Sequence, residues 1–155
     1  MPERFYNFLV SNRGIVIRAS APTRIDLAGG TIDIWPLYLF HPGACTLNAA
    51  ISLRAHATIE PRDDGQVELI SIDTGGHVLA RESSSLDGSG DLPLLSLMAR
   101  EFGLENATLI TRGESPAGAG IAGSSALTIA ACGALARWSG RTKTDAQLLD
   151  RKSVV

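Results

Sequence analysis

The sequence predicts a mixed fold of strands and helices whose sheet is at least partly antiparallel, and three observations carry that prediction. Ile51, Leu53, Ala55, Ala57 and Ile59 alternate with Ser52, Arg54, His56, Thr58 and Glu60, the period of a strand buried on one face. Pro61-Arg62-Asp63-Asp64-Gly65 follows, with Asp-Gly as a turn signal, and a second strand-like run, Gln66 to Ile72, comes after it. The pair predicts a β-hairpin. Ser124 to Trp138 is dominated by Ala, Leu and Ile, with Gly140 just beyond, which predicts a buried helix stopped by glycine.

The remaining elements follow in chain order. Ile15, Ile17 and Ala19 alternate with Val16, Arg18 and Ser20, predicting a strand over 15–21 that runs into Pro22. Residues 21–33 mix Pro22, Gly29 and Gly30 with charged residues and read as a turn or loop. Residues 74–90 are rich in Gly, Ser and Asp and predict surface loop, with a short strand over 78–81. Leu94, Leu95, Leu97, Met98 and Phe102 mark one face of a helix over 92–102 that Gly103 closes. Ala107 to Thr111 reads as a short strand. Thr144 and Gln147 have the T-x-x-Q spacing of a capping box and predict the start of another helix.

Composition narrows the function. A chain of 155 residues, 45% hydrophobic, has the size of one domain. A formal net charge of -2 and the lack of any Lys/Arg run argue against a nucleic-acid partner. Cys45 and Cys132 lack C-x-x-C spacing and lie among apolar residues, so buried free thiols in a reducing cytosol are expected. The apolar patch Phe5 to Val10 is too short for a signal peptide, and no run of about 18 apolar residues exists to span a bilayer. A cytoplasmic protein without a membrane partner is the expectation. His41, His56 and His77 show no metal-ligand spacing, and Asp63-Asp64 and Arg81-Glu82 read as solvated charges.

Chemistry concentrates in two segments. In Pro116-Ala117-Gly118-Ala119-Gly120-Ile121-Ala122-Gly123-Ser124-Ser125-Ala126 the glycines let the backbone adopt positive φ and present successive N–H groups. The helix that follows offers its unpaired first amides and the positive end of its dipole, as a phosphate requires. The hydroxyls of Ser124 and Ser125 suit phosphate oxygen or support of Mg²⁺. The alternative is a glycine-rich turn whose serines only cap a buried helix. The loop has no lysine, so it is not G-x-x-x-x-G-K-S/T, and it does not open a Rossmann unit.

The second segment, Ala21-Pro22-Thr23-Arg24-Ile25-Asp26-Leu27-Ala28-Gly29-Gly30-Thr31-Ile32-Asp33, sets one cation and two carboxylates around a glycine pair. Its plain reading is a turn in which Arg24 and Asp26 form a solvated ion pair worth about 0–1 kcal/mol. Trp35 and Tyr38 follow; packing is the simpler role for them and lining a sugar pocket the alternative.

The glycine-serine segment resembles the second motif of the GHMP kinases, P-x-x-x-G-L-G/S-S-S-A, through Pro116, Gly120 and Ile121. Its extra residue, giving G-I-A-G-S-S-A, is similar to the glucuronokinase-like branch. The upstream segment resembles the first motif, in the P-x-R-I/L-x-L/F-x-G-G-x-x-D form of sugar and heptose-phosphate kinases. Both motifs occur in the family's order. The resemblance implies an α+β fold with a mostly antiparallel sheet backed by helices, ribosomal-protein-like, with a left-handed βαβ crossover. It implies ATP and Mg²⁺ as cofactors, and transfer of phosphate to a hydroxyl of a sugar or sugar phosphate.

The same resemblance assigns roles. Arg24 is then the catalytic cation beside the transferred phosphoryl group, and Gly29, Gly30, Thr31 and Asp33 bind the acceptor. Pro116, Gly118, Ala119, Gly120, Ile121, Ala122, Gly123, Ser124, Ser125 and Ala126 hold the nucleotide, with Ser124 or Ser125 supporting the metal. Gly30-Thr31 stands where galactokinases carry Glu-His, which argues against galactose as the acceptor.

The family's third glycine-rich motif is not in this sequence. Residues 1–155 are therefore expected to be one N-terminal ATP-binding domain without its C-terminal domain, with little or no kinase activity alone. Asp145 and Asp150 lie too early to be the acceptor-activating aspartate. An isoprenoid-pathway kinase or decarboxylase of the same fold, and a non-catalytic nucleotide-binding or oligomerising remnant, stay open, as does a homodimer.

Overall fold

The computed structural model describes residues 6–11, 14–30, 32, 35–116 and 118–140. The elements are β1 (Tyr6–Ser11), β2 (Gly14–Ala28), α1 (Leu37–Phe40), β3 (Leu47–Pro61), β4 (Val67–Ser71), β5 (His77–Ala80), α2 (Pro93–Phe102), β6 (Ala107–Gly113) and α3 (Gly123–Trp138), with a 3-10 turn at Ser83–Ser85 before α2. The strands form one six-stranded sheet in the order β1-β2-β3-β6-β4-β5. Every neighbouring pair is antiparallel except β4 with β6. The expected α+β class with a mostly antiparallel sheet is what the chain adopts. Among the described residues no helix is long and apolar enough to cross a membrane.

The alternation in β3 does what it predicts. Ala55, Ala57 and Ile59 are buried, whereas His56 and Thr58 are half-buried on the opposite face. Ala19 and Ala21 of β2 continue the same buried strip, and α3 packs on β2 and β3 there. Both partners are small at this contact, since α3 contributes Ala126, Ala130, Ala131 and Ala134 to the core. Alanine against alanine lets a helix lie close to the sheet without a void. Its residues 130–136 are buried without interruption, the mark of a helix covered nearly all round. α2 packs beside it and ends at Gly103, whose φ of 63° and ψ of 51° place it in the left-handed region of a helix terminator.

The other sheet face carries most of the strands' polar side chains, with aliphatic ones such as Ile70 and Ile110 among them, as antiparallel sheets permit. His56 pairs with Glu114 at 2.8 Å, and Arg62 bonds Asp64, Glu68 and Thr108. Asp64 is therefore engaged by Arg62 at 2.5 Å rather than simply solvated, and the Arg62 guanidinium together with the Gln66 amide holds its carboxyl down at about 2.

Four expectations need correction. First, β3 and β4 form no hairpin, because β6 lies between them. The Asp64-Gly65 turn is real, with Gly65 at φ 74°, but it straddles the start of β6. Arg62 N–H donates to the Asn106 carbonyl at 2.9 Å, Gly65 N–H to Asn106 Oδ1 at 3.0 Å, and Ala107 N–H to the Gln66 carbonyl at 3.2 Å. Second, residues 21–28 are strand, not loop: β2 continues through Pro22, with register shifts at Pro22/Arg24 and Asp26/Ala28 absorbing the irregularity. Thr23, 1% exposed, keeps the core-facing alternation and donates its hydroxyl to the Leu53 carbonyl at 3.0 Å. Third, Cys132 is buried as expected, but Cys45 is exposed. Fourth, Trp35 and Tyr38 are exposed as well, so the packing role does not hold within the described residues. The apolar stretch near the N-terminus, not assigned to an element by its pattern, is the edge strand β1. The helix expected from Thr144 lies outside the described residues.

Candidate functional site

Two chain segments distant in sequence meet at one end of the sheet. The Arg24 backbone N–H donates to the carbonyl of Ile121 at 3.2 Å. The register shift in β2 between Pro22 and Arg24 is what frees that amide from the regular ladder. Proline has no N–H to offer, so the strand is already irregular at this point, and the next amide but one turns to the glycine-serine loop.

The loop's backbone matches its sequence in part. Gly118 and Gly120 take φ of 76° and 70°, and a Cβ at either would meet open space. Gly123 is not a left-handed residue. It begins α3, and the left-handed position is Ala122, at φ 59° and ψ 33°. Gly123 is instead closely approached by a side chain: a Cβ there would lie 2.5 Å from Ser115 Oγ, a hydroxyl that rotation about its own χ1 can move away. Ala122 caps α3 without a side-chain hydrogen bond, and the first helical bond runs from Ala126 N–H to the Ala122 carbonyl at 3.0 Å. The amides of Gly123, Ser124 and Ser125 take no acceptor among the described residues. Ser124 is exposed and Ser125 half-buried, and neither hydroxyl is engaged there. This end of α3 offers donors, a positive dipole end and two uncommitted hydroxyls.

A non-glycine residue in the left-handed region costs about 1–2 kcal/mol, and glycine gives back about 0.5–1 kcal/mol of that as chain entropy. Ala122→Gly is therefore expected to raise unfolding free energy by about 0.5–1 kcal/mol in urea titrations. An unchanged or lower midpoint would show that Ala122 is not strained.

The first segment is built around Gly29 and Asp26. Gly29 has φ of 71°, its carbonyl accepts from Thr46 Oγ1 at 2.9 Å, and a Cβ there would lie 2.2 Å from the Cys45 carbonyl oxygen. Arg24 Nε donates to Asp26 Oδ1 at 3.1 Å, with the two side chains 39% and 33% exposed. The Asp26 side chain also covers Gly30, where a Cβ would lie 3.4 Å from Asp26 Cβ. The plainly read ion pair thus exists, and it stands beside the loop. Thr31 and Asp33 lie outside the described residues.

Sequence reading missed the residues at the loop's root. Glu114 N–H donates to the Arg54 carbonyl at 2.9 Å, Arg54 N–H donates to Glu114 Oε2 at 2.9 Å, and Glu114 Oε1 meets His56 Nε2 at 2.8 Å. The His56 hydrogen bond, then the Arg54 amide, holds the Glu114 carboxyl below its usual range. Their only sequence signal was position, between a predicted strand and Pro116.

Comparison with known proteins places this geometry. Residues 92–154 match the family described as GHMP kinases N terminal domain. The chain is 33% identical over 128 residues to a D-glycero-alpha-D-manno-heptose 7-phosphate kinase of Campylobacter jejuni, covering 79% of this chain and 38% of that protein. The crystal structure of a D-glycero-D-manno-heptose 1-phosphate kinase from Bacteriodes thetaiotaomicron superposes with a TM-score of 0.76 at 28% identity, covering 89% of this chain and 46% of the other. A mevalonate kinase from Methanococcus jannaschii shares the fold, with a TM-score of 0.67 at 13% identity over 96% of this chain and 45% of that one. Residues 92–154, which carry α2, β6, the glycine-serine loop and α3, are thus similar to the GHMP kinase N-terminal domain. The chain's homologues include heptose-phosphate kinases, of which it spans 38% and 46% of the length.

Proposed function

We propose that this chain is the nucleotide-binding part of an ATP-dependent kinase that phosphorylates a hydroxyl or anomeric oxygen of a sugar or sugar phosphate. The observation that carries the reading is the hydrogen bond from Arg24 N–H to the Ile121 carbonyl, which sets the first motif against the glycine-serine loop. The heptose-phosphate kinases among its relatives support a sugar phosphate as acceptor. The likeness to mevalonate kinase, at 13% identity, supports the fold alone.

In this reading residues 118–126, with Pro116 fixing the turn before them, surround the phosphates of ATP, the amides of Gly123, Ser124 and Ser125 donate to them, and the helix dipole favours their charge. Mg²⁺ binds chiefly through phosphates and water, and the free hydroxyl of Ser124 or Ser125 fits as a supplementary ligand. When bound, the ion neutralises charge on the phosphates. The Arg24 guanidinium stabilises negative charge on the transferred group, with Asp26 fixing its direction. Gly29, Gly30, Thr31 and Asp33 hold the acceptor, which turns a bimolecular encounter into a positioned one. The setting is the cytoplasm, where ATP and reduced thiols coexist.

The chain is expected to unfold at a higher temperature as ATP and Mg²⁺ are added, because a ligand that binds only the folded state stabilises it. Residues 1–155 alone are expected to release little or no ADP, whereas in a longer protein spanning its relatives' full length sugar phosphates, and not mevalonate, are expected to stimulate release. Arg24→Ala retains the backbone bond to Ile121, so it is expected to leave the ATP-dependent shift intact and abolish stimulated release. No ATP-dependent shift up to millimolar nucleotide, or stimulation by mevalonate alone, overturns the reading.

A further inference from the structure

We propose that Asp73, just beyond the end of β4, is a positioning residue for the glycine-serine loop, an inference that rests on reading this loop as the nucleotide site. β4 and β6 are parallel, so both end on the side where the loop begins. Beyond the register pair Ser71 and Thr111, Ile72 N–H still donates to the Thr111 carbonyl at 3.0 Å. There the main chain of β4 turns away through 72–76, a bend closed by Ser71 N–H to the Gly76 carbonyl at 3.0 Å and Gly76 N–H to Thr74 Oγ1 at 3.2 Å. The Asp73 side chain continues the ladder where the backbone leaves it. Its Oδ2 accepts the Gly113 N–H at 2.6 Å.

Three consecutive residues at the loop's root are thereby tied to three different elements. Gly113 is held by Asp73, Glu114 is bonded to the Arg54 backbone of β3, and Ser115 lies against Gly123 at the start of α3. The carboxylate also packs directly on Gly113, where a Cβ would lie 3.4 Å from Asp73 Oδ2. Asp73 holds the root from the β4 side, and the root's own Glu114 reaches to β3 on the other. Because Ser115 and Gly123 touch, moving the root moves the first amides of α3.

Charge alone makes the opposite prediction to positioning. A carboxylate near a phosphate site repels the ligand, so an electrostatic bystander at 73 would weaken ATP binding, and both Asp73→Asn and Asp73→Ala would tighten it. A positioning residue behaves differently: Asn keeps a carbonyl oxygen for the Gly113 amide, and Ala does not. A hydrogen bond to a charged group corresponds to about tenfold in an equilibrium constant.

The test measures, on the chain and both variants, the Kd for ATP with Mg²⁺ by calorimetry and amide hydrogen exchange over peptides spanning 113–125. Asp73→Ala is expected to weaken ATP about tenfold and to speed exchange at the loop, with exchange in α2 unchanged. Asp73→Asn is expected to stay within about twofold of the parent on both measures. Unchanged loop exchange in Asp73→Ala, tighter ATP binding in both variants, or equal loss in Asn and Ala overturns the inference. If the parent chain binds no ATP while Asp73→Ala still loosens the loop, the nucleotide reading fails and the positioning of the loop by Asp73 stands.

Discussion

Gly29→Ala is expected to lower unfolding free energy by about 2–4 kcal/mol and to dismantle the bend that carries the first motif. Three terms set that figure. The left-handed φ of 71° costs a residue with a Cβ about 1–2 kcal/mol. Overpacking adds about 1–3 kcal/mol, because the new Cβ would lie 2.2 Å from the Cys45 carbonyl oxygen, a backbone atom with no rotamer to escape into. The stiffer unfolded chain returns about 0.4–1 kcal/mol. Relief requires Cys45 and Thr46 to withdraw, which breaks the Thr46 hydroxyl bond to the Gly29 carbonyl and the adjacent Ala28–Leu47 pair. Gly43 provides the control, with φ of 80° and nothing within 4 Å of its would-be Cβ. Gly43→Ala is expected to cost only about 0.5–1.5 kcal/mol in the same denaturant titration. Equal costs at the two positions would show that the contact with Cys45 carries no energy.

How far the sequence foretold this molecule depends on how local each determinant is. The alternation of β3 and the glycine stop of α2 are local, since burial period and left-handed geometry act within a few residues, and both were legible. The order of the strands was not. Asp64-Gly65 promotes the same turn whether the next strand pairs with the previous one or passes over a third. The choice was made by Asn106, forty-one residues from Gly65, whose backbone and side chain receive the turn's amides. Pro22 misled in the reverse direction. It is a loop signal, yet its segment stays in the sheet because Thr23 remains buried and the displaced Arg24 amide finds the Ile121 carbonyl. The motifs themselves were legible as residues, but the bond that joins them was not. Asp73 and Glu114 act through single hydrogen bonds to a loop root, which leaves no periodic trace in a sequence.

Leu109→Ala is expected to cost about 2–5 kcal/mol, and its neighbour Ile110→Ala about 1 kcal/mol. The two residues share one strand, β6, whose hydrogen bonds to β3 and β4 are the same for both, so the contrast isolates the sheet's two faces. Leu109 is 0% exposed and lies in register between Ile59 of β3 and Leu69 of β4, both also fully buried. Removing its side chain opens a cavity that backbone pairing on both sides prevents from closing. Ile110 lies between Thr58 and Ile70 on the polar face, half-buried, so its loss is mainly one of strand propensity and partial burial. Urea midpoints of the two variants at constant m-value decide the matter. Similar costs would mean that the polar face is covered in solution, contrary to a one-sided core. A large Leu109 effect alone means that the core which holds β6, and with it the Gly113 root of the loop, lies between the sheet and α2 and α3.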